Sequence, residues 1–216
     1  MRQRLVGEVP AVHMPARETL YKANQPIRNV YFPLTGVMSL VSILETGDTI
    51  EAGAVGYEGM VGLPVLLGTG RSNFEASSQV PGYVIPVPAA TLRAELDRSD
   101  GLRDVLNRYA QVFMTQLGQT IACNAHHAVQ QRASRWLLMT HDRMRSDEFL
   151  LTQEVLAQML GVRVATVSET AHSFQQAGLI SYQRGRMTII DRPGLEARAC
   201  RCYRILVEEY ARAMGS

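Results

Sequence analysis

The run Leu151-Thr152-Gln153-Glu154-Val155-Leu156-Ala157-Gln158-Met159-Leu160-Gly161-Val162-Arg163-Val164-Ala165-Thr166-Val167 restricts what this chain can fold into more than any other stretch. Thr152 is placed to cap a first helix, Ala157 is small where a second helix must cross closely, Gly161 permits the turn between them, and Val167 plugs the gap. Leu156, Leu160 and Val162 complete a small core. Two helices set at this angle leave the second one protruding. A protruding helix fits the major groove of duplex DNA, where each base pair shows its own donor and acceptor pattern. Beyond it, Phe174, Ala177, Leu179 and Ile180 read as core and Gly178 as a helix stop, while Ile180 to Tyr182 and Met187 to Ile190 read as two strands around Arg184-Gly185-Arg186. A helical hairpin followed by an ordinary surface hairpin would give some of these signals. The cationic turn beside a protruding helix favours a wing that meets phosphates.

From Ala16 to about Val87 the chain breaks into short apolar stretches, Tyr31-Phe32, Val37 to Leu44, Ile50 to Val55 and Gly82 to Val87, separated by Gly, Pro, Asn and Asp. That rhythm predicts antiparallel strands in a small barrel or sandwich, with Glu45-Thr46-Gly47-Asp48 as the clearest hairpin turn. A glycine-rich segment, Gly56 to Gly70, interrupts it. Near Pro88 the period changes. From a cap at Ser99 or Asp100, Leu102, Leu106, Tyr109, Phe113, Gln116, Thr120 and Cys123 recur in steps of four and three, which predicts a long helix presenting this stripe to the same helix of a second subunit. Val105, Val112, Leu117 and Ile121 widen the apolar face, so that another side can lie on the β domain; burial of the helix wholly within its own monomer is the alternative. Helical spacing continues from Ala128 to Met144 and ends at Arg145-Ser146-Asp147-Glu148, a domain junction or tight turn.

With 216 residues, 46% hydrophobic and 19% charged, the chain has the composition of an ordinary globular protein with room for two modest cores. A net charge of +2 decides nothing about partners. Lys22 is the only lysine, so nearly every cation is a guanidinium, the group suited to forked contacts with phosphate and guanine. Cys123, Cys200 and Cys202 cannot form a paired framework without leaving one over, which fits a reducing cytoplasm. Met1-Arg2-Gln3-Arg4 leads into no apolar run, and no stretch reaches the roughly 20 apolar residues needed to span a bilayer. An enzyme with a cupin-like metal site would need clustered histidines and a carboxylate among the strands. Only His13 lies there, so no catalytic function is expected. His126 and His127 point to different faces of a helix with no cysteine or carboxylate beside them, and no metal site is expected either.

The residues from Leu151 to Ile190, with the strand-rich half and long helix before them, resemble the Crp/Fnr family over almost the whole chain. The resemblance implies an α+β fold in three parts: an N-terminal antiparallel β-roll of double-stranded jelly-roll type over residues 1–99, a long dimerisation helix over 100–127, and a winged helix-turn-helix over 128–216. It also implies a homodimeric transcription factor whose partner is double-stranded DNA and, for an activator, RNA polymerase. Gly56-Tyr57-Glu58-Gly59 to Arg71-Ser72 is similar to the family's phosphate-binding cassette, which makes Gly56, Glu58, Gly59, Arg71 and Ser72 the candidate effector contacts. Tyr57 intervenes in the Gly-Glu element, the spacer Met60 to Gly70 is long and apolar, and Leu117 and Gly118 stand where relatives offer hydroxyls to a cyclic nucleotide. A roll kept as scaffold or adapted to another effector is therefore favoured over cyclic nucleotide binding, and no cofactor is expected. Iron–sulfur sensing needs a cysteine cluster, and the N-terminal half has no cysteine. On the second helix, Arg163, Val164, Ala165, Ser168, Glu169 and His172 are expected to face bases. Thr152, Gln153, Thr166, Arg184 and Arg186 are expected to face phosphates. The rival reading is a cyclic-nucleotide sensor whose C-terminal domain docks a protein.

Overall fold

The structure, a computed structural model, describes residues 9–215, so the opening run Met1 to Arg4 lies outside the described residues. Among the described residues, seven strands build the N-terminal part: β1 (Val12–Met14), β2 (Thr19–Tyr21), β3 (Asn29–Pro33), β4 (Val37–Ile43), β5 (Thr49–Val55), β6 (Glu75–Val80) and β7 (Gly82–Pro88), with a short helix α1 (Leu63–Leu66) between β5 and β6. They form two antiparallel sheets, ordered β1-β7-β3 and β2-β6-β4-β5. The turn from Glu45 to Asp48 joins β4 to β5, with the Leu44 N–H donating to the Asp48 carbonyl at 2.8 Å. Between the sheets Val30, Met38, Val55, Val61 and Val87 are sealed from water. Sequence reasoning missed β6, Glu75-Ala76-Ser77-Ser78-Gln79-Val80, because it is polar. Ser78 and Gln79 are nonetheless buried, and the strand sits in the middle of its sheet.

Helix α2 (Ala89–Arg98) returns over the roll and leads into α3 (Asp100–His126). Ser99 caps the long helix, its hydroxyl accepting from the Leu102 N–H at 3.3 Å. The stripe assigned to the subunit interface is corrected here, because its own chain covers it. Leu102, Leu106, Tyr109 and Phe113 join the core of the roll, Gln116 Nε2 donates to the Ala54 carbonyl at 2.9 Å, Thr120 is buried, and Cys123 meets Cys200 and Cys202. The cause is the last helix, α8 (Cys202–Met214), which packs along α3 and clasps it against the roll. What remains open on α3 is a second stripe, Asn107, Gln111, Met114, Gly118, Ile121 and Ala125, also in steps of four and three. Met114 is 57% and Ile121 72% exposed.

After the extended residues His127 and Ala128, α4 (Val129–Met144) begins the C-terminal part. Its Trp136, Leu137 and Leu138 share one core with Val37, Val41, Ala54 and Val80 of the roll, so the two parts are joined by apolar packing. Within that joint Glu51 of β5 is buried, taking hydrogen bonds from Ser39 Oγ at 2.5 Å and Trp136 Nε1 at 3.1 Å. Burial pushes the Glu51 carboxyl above its ordinary value; the Ser39 hydroxyl and the Arg135 and Arg143 guanidiniums oppose this without reversing it. A carboxyl raised on folding holds its proton more tightly in the native state. Its stabilising contribution is complete below the usual carboxyl range and is lost as the pH rises through the folded value. In denaturant titrations across pH, wild-type protein should therefore lose stability relative to Glu51→Gln as the solution becomes less acidic. A wild-type minus mutant difference that stays constant from pH 4 to 8 would refute this account.

Candidate nucleic-acid interface

Helices α5 (Gln153–Leu160) and α6 (Val164–Gln176) and the sheet β8-β10-β9, of β8 (Glu148–Leu150), β9 (Ile180–Gln183) and β10 (Arg186–Ile189), make the C-terminal unit with α4 and α7 (Arg192–Arg198). The polar run between α4 and β8 is a tight turn, with Arg145 at φ 53°, and Glu148 already belongs to β8. Thr152 caps α5, its hydroxyl accepting from the Val155 N–H at 3.3 Å. Gly161 ends α5 at φ 61°, a left-handed conformation that costs other residues energy, and Ala157 and Val167 are buried where the two helices cross. Phe174, Leu179, Ile180 and Met187 close the core beneath.

This packing leaves one edge of α6 in solvent. Arg163, Val164, Ala165, Glu169 and His172 are exposed, and Thr166 and Ser168 are half-buried. The Ser168 hydroxyl donates to Gln153 Oε1, which ties the start of α5 to the middle of α6. Arg184 at φ 50° and Gly185 at φ 76° form the two-residue turn between β9 and β10, a turn whose positive φ values match the twist of a hairpin. Arg184 and Arg186 are exposed there, and Arg186 Nη1 pairs with Glu148 Oε1 at 2.6 Å. The face therefore combines a protruding helix with a cationic hairpin.

Helix α5 also rests on the roll. A Cβ on Gly161 would stand 2.8 Å from Ile50 Cδ1, and Gln158 Nε2 donates to Thr49 Oγ1.

The five candidate effector contacts have structural partners of their own. Glu58 Oε1 accepts from Arg143 Nε of α4 at 2.7 Å and from the Gly56 N–H at 3.1 Å. A Cβ on Gly59 would collide with the Tyr109 ring, at 2.2 Å. Arg71 is exposed and donates to the Asn24 carbonyl at 2.8 Å, and Ser72 Oγ accepts from the Phe74 N–H at 3.0 Å. Glu58 is thus committed to an ion pair across the joint. The same Arg143 donates to the Ala54 carbonyl at 3.3 Å and to Gln116 Oε1 at 3.1 Å, and the Glu58 carboxylate holds the guanidinium protonated against the cost of its burial. Beside this tie a cavity of about 300 Å³ is lined by Tyr57, Glu58, Val112, Arg143, Leu206 and Tyr210.

The expectation that no cysteine accompanies His127 is overturned. Cys123 lies one helical turn before it, and the turn between α7 and α8 brings Cys200 and Cys202 alongside, so that the three sulfurs and the imidazole all lie within 4.8 Å of one another. The signal was present as two ligand-like spacings, Cys123-x3-His127 and Cys200-x-Cys202, but the fold alone unites them. Among the described residues, no helix is long and apolar enough to cross a membrane.

A small helical unit with a protruding helix and a cationic hairpin, carried on an antiparallel roll by a long helix, defines a winged-helix regulator. Residues 131–198 match the Crp-like helix-turn-helix domain. The chain is 23% identical over 195 residues to the nitrogen fixation regulation protein FixK of Bradyrhizobium diazoefficiens, covering 87% of this chain and 81% of that one. It is 22% identical over 200 residues to the global nitrogen regulator of a Nostoc species, covering 87% and 89%. Its fold is similar to that of FixK2 from Bradyrhizobium japonicum, with a TM-score of 0.74 at 16% identity, covering 88% of this chain and 97% of that one. Residues 131–198 thus carry a Crp-like helix-turn-helix domain, and over most of its length the chain is similar to transcriptional regulators of the Crp/Fnr kind.

Proposed function

We propose that the protein acts in the cytoplasm as a homodimer on a two-fold symmetric operator, with an effector acting through the roll to set how the two α6 helices are spaced. The observation that carries this reading is the exposed edge of α6 beside the Arg184-Gly185-Arg186 turn. Arg163, Val164, Ala165, Ser168, Glu169 and His172 read bases, Val164 or Ala165 touching a thymine methyl and Glu169 accepting from a cytosine amine. Thr152, Gln153, Thr166, Arg184 and Arg186 hold phosphates. The second copy meets α3 along Asn107, Gln111, Met114, Gly118, Ile121 and Ala125, where heptad steps and the bare Gly118 allow two helices close approach. Gly56, Glu58, Gly59, Arg71 and Ser72 remain the effector-side elements, acting through the Arg143 tie to α4 rather than as a preformed nucleotide cradle. An activator of this design would also touch RNA polymerase.

Selection of bound fragments from a random DNA pool tests the reading. The recovered sites should be inverted repeats whose half-sites are centred about 34 Å apart, one turn of B-DNA. Recovery of no enriched sequence, with and without cell extract, would reject sequence-specific binding.

A further inference from the structure

The gathering of Cys123, His127, Cys200 and Cys202 is not used by the DNA-binding face, and its geometry is that of a ligand set. Cys123 Sγ and Cys200 Sγ are 3.4 Å apart, and Cys202 Sγ and His127 Nδ1 are 3.6 Å apart. Four ligands placed tetrahedrally around Zn2+ at ordinary bond lengths give sulfur–sulfur distances of about 3.8 Å and sulfur–nitrogen distances of about 3.6 Å. The observed spacings lie within a few tenths of an ångström of both. A Cys123–Cys200 disulfide would account for two of the four groups and leave Cys202 and His127 without a role.

The surroundings suit a thiolate-rich site. All three thiols are buried and His127 is half-buried, so water competes weakly for the ligand atoms. Three thiolates, a neutral imidazole and a divalent ion carry a net charge of −1, which an apolar interior would not accept alone. Arg132 and Arg135 of α4 are both buried, and each has an Nε with no hydrogen-bond partner among the described residues. The hydrogen bond with Cys200 and burial push the Cys123 thiol up, and burial does the same to Cys202; the Arg135 charge opposes both shifts, and Arg132 interacts with Cys123 in the same sense. Two guanidiniums with spare donors beside buried sulfurs supply the compensating charge and outer hydrogen bonds that such a site needs.

We propose that Cys123, His127, Cys200 and Cys202 form a tetrahedral site for one thiophilic divalent cation, of which Zn2+ is the type. All four positions are filled by protein, which makes the site structural or regulatory rather than catalytic. It joins the end of α3 and the His127–Ala128 link to the turn between α7 and α8. A bound ion therefore fixes the joint about which the winged helix would move.

The test uses the untagged full-length chain, purified anaerobically under reducing conditions. Elemental analysis after gel filtration should find about one Zn2+ per chain. Replacement by Co2+ should give the intense visible bands of a tetrahedral thiolate complex, and added Zn2+ should raise the thermal midpoint of metal-stripped protein. Cys202→Ser should lose the cobalt bands or bind at least about 10-fold more weakly, and His127→Ala should shift the bands or weaken binding to a similar degree. The wild-type measurement decides by itself, so a variant that fails to fold does not rescue the proposal. Wild-type protein with three titratable thiols, no retained Zn2+ and no cobalt bands would overturn it. A single titratable thiol with no metal would overturn it equally, in favour of a Cys123–Cys200 disulfide. None of these measurements involves DNA, so the site stands or falls independently of the operator reading.

Discussion

Ile121→Asp should convert the proposed dimer to a monomer and abolish tight operator binding. Ile121 is 72% exposed in the single chain and lies between Gly118 and Ala125 on the open stripe of α3. Across a two-fold axis each position near the seam approaches its own copy, so one substitution places two carboxylates against each other in a region closed to water. An uncompensated buried charge costs roughly 3 kcal/mol or more, which weakens the dimer at least about 100-fold. A monomer then holds one half-site alone and loses the gain from joining two contacts on one duplex. Sedimentation analysis and a mobility-shift titration read both effects. Ile190→Asp provides the control, since Ile190 is 62% exposed just past the wing, and it should leave assembly unchanged. If Ile121→Asp sediments like wild type, the open stripe is not the seam.

The second large effect belongs to the wing. Replacing Arg184 and Arg186 together by alanine should flatten the slope of log affinity against log salt by about 2, because two phosphate contacts each release about one condensed counterion. At about 0.15 M salt the same two terms amount to a roughly 30-fold loss of affinity. The two residues should contribute unequally. Arg186 must first leave Glu148, 2.6 Å away in an exposed pair of the kind worth under about 1 kcal/mol, whereas Arg184 stands at the tip of the turn. Base preference should survive, since phosphate contacts position the protein without reading sequence. An unchanged affinity and salt slope in the double variant would remove the wing from the interface.

Both predictions depend on features that were unequally legible in the chain. The crossed helices could be read because Ala157, Gly161 and Val167 each answer a local steric demand within a few residues of one another. The wing was legible for the same reason, its turn needing a glycine flanked by strand residues. The face of α3 was not. Leu102 to Cys123 is the more apolar of two stripes with the same step pattern, and choosing between them required knowing that α8 returns along the helix from the far end of the chain. Strand β6 hid behind its serines, whose burial depends on neighbours rather than on their own polarity. The thiol cluster was invisible because its two halves are separated by the whole winged helix.

The contact of Gly161 with Ile50 has a consequence for how such a protein can change over time. The turn that leads into α6 is shaped to receive a side chain of the roll's own hairpin, and the hairpin's Thr49 accepts from Gln158 one turn away. The halves are fitted parts, not interchangeable modules. A roll transplanted from another regulator would arrive with a different knob for the same socket, and the graft would misalign at the seam although each half was sound.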